Sequence, residues 1–223
     1  MDFGFIKALN TDSTEKVHKL IKSYDGYNSY LLIIDKKTRY IWIFLSESKA
    51  PPIATIDTFL LKYGIPKGKQ RGLNLAVRTG QGGELSGSEK FKRILSLHGY
   101  SMEPTAAGSS SQNGLAERPN ETIGKTLRAM LFGAGLADKY WSDALVHAIF
   151  VKNRLPHAHF KYASTPYTEL TGTRPNLEKL RVFGCPVTLH KPGRRRKNLQ
   201  NITMMDSFSD MQVPLKTANT LTE

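Results

Sequence analysis

Ser111-Gln112-Asn113-Gly114-Leu115-Ala116-Glu117-Arg118-Pro119-Asn120 is the stretch whose reading decides the fold. It opens as a polar, glycine-bearing segment. It continues into Thr122 to Phe132, where Ile123, Leu127, Met130 and Leu131 recur at helical spacing. The reading is a loop over 105–114 that becomes a helix from about 115. Glu117 then stands where a pliable segment meets a rigid one, a place suited to presenting an acidic ligand to something arriving from outside. A solvated glutamate at a helix start, favoured by the helix dipole, is the plain alternative. Pro119 follows two residues later. Deep in a helix its ring would clash with the carbonyl of Leu115 at a cost of about 3 kcal/mol, so the helix is expected to begin near Arg118.

The chain upstream reads as alternating strands and helices. Met1 to Ala8 fits a first strand. Asn10 to Tyr27 is polar and charged, an insertion with room for a short helix at 14–22. Tyr30 to Asp35 and Arg39 to Leu45 are apolar, β-branched and aromatic runs around the turn Lys36-Lys37-Thr38, a hairpin signal; Asp35 is read as a turn residue. Pro51-Pro52 opens a helix with the stripe Ile53, Ile56, Phe59, Leu60, Tyr63, closed by Gly64. Leu73 to Thr79 is a strand, Gly80 to Gly87 a glycine-rich turn, Ser88 to His98 a helix and Tyr100 to Pro104 a strand. The order β-β-β-α-β-α-β-α predicts an α/β fold with helices on the sheet faces. Further helices are expected at Tyr140 to Asn153 and Thr165 to Leu170, and an extended run at Leu180 to Leu189.

Over 223 residues the net charge is +13, with a sequence pI near 9.8. Such an excess points to an anionic partner, nucleic acid before membrane, since no lipid-anchoring or secretory pattern is present, with a basic but inert surface as the plain alternative. The one cysteine, Cys185, rules out an internal disulfide and a cysteine zinc site. The six histidines lack metal-ligand spacing, and His157-x-His159 reads as loop. Arg194, Arg195, Arg196 and Lys197 form a basic cluster, either a solvated linker or a phosphate-contacting or nuclear-import segment.

The stretch QNG-x-AER-x-N at 112–120 resembles the third-acid motif of copia-type retroelement integrases. So do RTGQGGEL at 78–85, TPYTELTGTRPNLEKLRVFGCPV at 165–187, YLLIIDKKTRYIWIF at 30–44 and MDFGF at 1–5, in the family's order. The resemblance implies a ribonuclease H-like mixed sheet flanked by helices, with a helical C-terminal extension. It divides the chain into a catalytic core at 1–135, a post-core region at 136–197 and a divergent tail at 198–223. The family's zinc-binding region ahead of the core is not in this sequence, so a fragment is expected. From about Asn198 the resemblance stops, and a frameshift in a decayed element is the hypothesis; a neighbouring reading frame without an integrase-like continuation would remove it.

The resemblance also implies chemistry. Three acids in the family hold divalent metals, Mg2+ or Mn2+, for phosphoryl transfer to DNA. By motif Asp2 stands at the first catalytic and metal position and Glu117 at the third. The second falls on Gly80, which has no ligand atom, and Glu84 lies past a turn where the family already has an acid. Little or no strand transfer is therefore expected. Gln112, Asn113, Arg118, Lys125, Arg128 and the cluster Arg194, Arg195, Arg196, Lys197 are the candidates for nucleic-acid contact, each with a plain surface alternative. DNA is the implied partner, self-association a further one, and the nucleus or a cytoplasmic particle the implied location. An active enzyme with a substituted ligand and a non-enzymatic DNA- or protein-binding remnant are the rival readings.

Overall fold

The structure is a computed structural model that describes residues 1–6, 20–48, 50–66, 69–70, 73, 75–80, 83–104 and 110–186, with the backbone alone at 104 and 110–118. The expectations for 7–19, 105–109 and 187–223, including Arg194, Arg195, Arg196 and Lys197, lie outside the described residues.

Strands β1 (Asp2–Gly4), β2 (Ser29–Ile34) and β3 (Ile41–Ser46) form an antiparallel ladder in which Asp2 faces Leu32 and Gly4 faces Tyr30. The apolar runs of β2 and β3 are continuous because both faces are covered. Tyr30, Leu32, Ile41 and Ile43 enter one core; Leu31, Ile33, Trp42 and Phe44 enter the other. Asp35 makes the hairpin turn by accepting from the Thr38 amide and hydroxyl at 2.8 and 2.7 Å.

Helix α1 (Ile53–Tyr63), helix α3 (Glu89–Leu97) and the single turn α2 (Gly83–Ser86) cover the second core. Ser88 caps α3 by accepting from the Phe91 amide at 3.3 Å. Strands β4 (Ala76–Thr79) and β5 (Ser101–Pro104) pair in parallel. The described strands thus form two ladders, one antiparallel and one parallel, rather than one continuous sheet. A pair of backbone hydrogen bonds links them. The Met1 nitrogen donates to the Arg78 carbonyl at 2.6 Å and the Gly80 amide to the Met1 carbonyl at 3.3 Å, the pattern of a parallel bridge between Met1 and Thr79.

Helices α4 (Ser110–Gly133) and α5 (Trp141–Arg154) cover the first core, through Ile123, Leu127, Leu131, Trp141, Ala144, Leu145, Ala148 and Ile149. Helix α6 (Pro166–Thr171) follows, capped by Thr165 and ended by Gly172 in the left-handed conformation. Along the outer edge of β3, Asn153 of α5 accepts from the Ile41 amide at 2.9 Å and donates to the Ile41 carbonyl at 2.8 Å, so one side chain substitutes for a partner strand.

Four local expectations need correction. Helix α4 starts at Ser110, not near 115–118, and carries Pro119 inside it. The lost amide bond at Pro119 is outweighed by the apolar face that α4 buries further on. The segment 80–87 is not all turn, because Leu85, only 3% exposed, anchors α2. Residues 20–22 are not helical, and the Ile21 amide donates to the Ile6 carbonyl at 3.0 Å instead. Residues 180–186 are turn and coil rather than an extended run.

Candidate active site

Asp2 opens β1, and its pairing with Leu32 sets both side chains on the sheet face covered by α4. Its Oδ2 accepts from Asn120 Nδ2 at 2.8 Å, and its Oδ1 from the Phe3 amide at 3.0 Å. Asn120 is held in turn by the Tyr30 hydroxyl, which donates to its Oδ1 at 3.3 Å. The result is a chain of hydrogen bonds from β2 through α4 to the carboxylate on β1.

Tyr30 reaches Asn120 because its cross-strand neighbour is a glycine. A Cβ on Gly4 would overlap the Tyr30 ring. The ring fills that space, is 2% exposed, and lies 6.2 Å from the Trp141 ring. Burial, with the charge of Asp2 behind it, holds the Tyr30 hydroxyl above the ordinary phenol range, so it stays a donor. Tyr30→Phe keeps the packing and deletes this donor. The expected loss is about 0.5–1.5 kcal/mol in urea titration; an unchanged midpoint would show that the bond contributes nothing.

Gly80 is buried at the end of β4 with its amide on the Met1 carbonyl, one residue from Asp2. Glu117 occupies the helical turn before Asn120 on α4; its side chain is outside the described residues, as are those of Gln112, Asn113 and Arg118. Glu84 lies in α2, half-buried. Lys125 is engaged by Glu121 at 2.6 Å, both well exposed, and that contact holds the Glu121 carboxyl below its usual range. Arg128 Nε donates to the Gly124 carbonyl at 3.3 Å. The structure thus brings positions 2 and 80 together beside α4.

Sequence reasoning gave no role to Asn120, Tyr30 or Gly4. Asn120 was in principle visible, since a residue three after Glu117 lies one turn on along the same helix. The Gly4–Tyr30 pair was not, because register is not written in either strand alone.

A solved structure shares this fold. A chain of the simian T-cell lymphotropic virus intasome, in complex with PP2A regulatory subunit B56 gamma, superposes with a TM-score of 0.52 at 14% identity, over 88% of this chain and 60% of that one. The chain is homologous to the Pol polyproteins of copia-type retrotransposons. Among them, that of transposon RE1 from Arabidopsis thaliana is 33% identical over 165 residues, 74% of this chain. That of transposon TNT 1-94 from Nicotiana tabacum is 29% identical over 181 residues, 81% of this chain. The Ty1-LR3 Gag-Pol polyprotein of Saccharomyces cerevisiae is 26% identical over 190 residues. The chain spans 13%, 11% and 10% of the TNT 1-94, RE1 and Ty1-LR3 polyproteins. No protein-family model matches it.

Proposed function

We propose that this chain is the integrase catalytic segment of a copia-type retroelement, with a ribonuclease H-like sheet, whose phosphoryl-transfer centre has lost its second acid. The observation that carries the reading is the convergence of Gly80, through the Met1 carbonyl, and Asn120, through its own amide, on Asp2. Two motifs far apart in sequence, RTGQGGEL and QNG-x-AER-x-N, thereby meet at the start of a third, the first at the Met1 carbonyl and the second at the Asp2 carboxylate. The Met1–Thr79 bridge supports the mixed sheet, since it lays the parallel ladder beside β1.

Integrase chemistry in the family uses two divalent cations, which activate the attacking oxygen and stabilise the leaving one. Magnesium and manganese take oxygen ligands. The described residues do not fit such a pair. Asp2 is the one carboxylate at the site among the described side chains, position 80 offers no oxygen, and no group of three potential ligands occurs among the described residues. Asp2 and Glu117 remain the proposed catalytic and metal positions, and the proposal is of a polynucleotidyl transferase lineage with impaired metal binding.

The core at 1–135, the post-core region at 136–197 and the divergent tail at 198–223 are part of this reading. DNA is the proposed partner, through Gln112, Asn113, Arg118, Lys125, Arg128 and the run Arg194, Arg195, Arg196, Lys197, with self-association and a nuclear or particle-bound location following from the lineage. No helix among the described residues is long and apolar enough to cross a membrane. The charge of +13 favours a second reading, a DNA-binding remnant without catalysis. Strand transfer on labelled duplex ends with Mn2+, run on the unaltered chain beside Gly80→Asp, tests the proposal: the first should be inert, and equal rates would defeat it.

A further inference from the structure

A different surface gathers cations with no carboxylate partner among the described residues. Arg39, in the β2–β3 turn, has φ +57°, a left-handed conformation that non-glycine residues enter at a strain. Its Nη2 bonds to His159 Nδ1 at 3.2 Å, and its buried Nε finds no partner among the described residues. The His159 amide in turn donates to His157 Nδ1 at 3.1 Å. A guanidinium and an amide only donate, so both Nδ1 atoms are acceptors and each ring keeps its hydrogen on Nε2. Phe160 packs against both rings, at 5.8 Å from His157 and 5.4 Å from His159.

Every side-chain polar group left over on Arg39, His157 and His159 is therefore a donor, and the carboxylate of the same turn, Asp35, is taken up by Thr38. Lys152, at the end of α5, adds an ammonium, and Lys161 and the neighbouring Lys36 and Lys37 are exposed. Burial, then the positive charges of Arg39 and Lys152 and the neighbouring His159, push the His157 imidazole below its usual range; no carboxylate acts against them. Among the described residues the ion pairs all lie elsewhere, on β4–β5, α1–α3 and α4. Basic residues in the last turn of α5 suit the helix dipole, and Arg154 is accounted for by stacking on Phe150 and Tyr167. The dipole explains nothing about Arg39 or the two histidines.

We propose that the β2–β3 turn and the loop after α5 form a second DNA contact, with Arg39, Lys152, His157 and His159 donating to backbone phosphates. The inference rests on the DNA-binding part of the function proposed above, but on none of the catalytic positions. Phosphate oxygens would take the donors that solvent reaches, the sealed Arg39 Nε not among them, and offset the crowding of positive charge.

Binding of a short fluorescein-labelled DNA duplex to the full chain, by anisotropy in EDTA over a range of salt concentrations, tests it. The double variant Arg39→Gly/Lys152→Gln removes two cations while the glycine suits the local backbone. Affinity should fall at least about 5-fold near physiological salt, and the log–log salt slope should shrink by about 0.9 for each phosphate no longer neutralised. Lys90→Gln/Lys92→Gln on α3 removes the same charge elsewhere and should cost less. Equal losses in the two double variants would reduce the effect to net charge and overturn the proposal. So would an unchanged slope in the first variant with its far-ultraviolet spectrum intact, or no binding by the unaltered chain. Strand transfer by Gly80→Asp is read separately, so the catalytic lineage can stand when this surface fails.

Discussion

Gly80→Asp is expected to turn a chain indifferent to divalent cations into one that Mn2+ or Mg2+ stabilises. An aspartate at 80 sets a second carboxylate one residue from Asp2, across the backbone bond to the Met1 carbonyl. Without a cation the two negative charges repel, each raising the other's pKa, so the metal-free variant should melt below the unaltered chain. A cation bound by the folded state alone reverses this, adding about 2.7 kcal/mol at a hundredfold excess over its Kd. The unaltered chain should show neither the loss nor the gain. Strand transfer should rise on the order of 100-fold or more, since even partners outside the ligand shell of a metal are worth 10–100-fold. Equal stabilisation of both chains by Mn2+ would mean that the donor set is complete without position 80.

Asn153→Ala should give the largest loss of stability from a single polar side chain. Asn153 is 2% exposed and satisfies both the amide and the carbonyl of Ile41. Alanine leaves two buried backbone groups unpaired at about 1–3 kcal/mol each, for a total on the order of 2–6 kcal/mol in urea or thermal unfolding. Asn153→Asp separates the contributions. A carboxylate still accepts from the amide, cannot donate to the carbonyl, and brings a charge into a buried site. It should therefore also destabilise, and most at neutral pH. A loss below about 0.5 kcal/mol for the alanine variant would show that water replaces the amide.

Elements whose own residues carry their stabilising contacts were legible in the sequence. The β2–β3 hairpin announced itself through its apolar runs and the turn between them, and the helices expected from Ser88 and Thr165 start where those residues cap α3 and α6. The start of α4 was not, because Gly114 and Pro119 speak locally for a loop while the helix is held by Ile123, Leu127 and Leu131 against α5 and the sheet. The glycine-rich stretch after β4 misled in the same way: a single leucine with a buried place to go outweighs its neighbours. Of the candidate site, Asp2 and Gly80 could be named from motif order. What holds Asp2 in place could not, since it depends on Gly4 facing Tyr30 and on α4 crossing both.

The bridge at Met1 and Thr79 has a dynamic consequence. It is a backbone hydrogen-bonded link between the antiparallel and parallel ladders, and it lies one residue from Asp2. Breathing along this seam would part position 80 from Asp2 with both ladders intact, at far less than the free energy of unfolding. An oxygen ligand at 80, shared through a cation with Asp2, would close the seam like a clasp; a glycine there offers the cation nothing to hold.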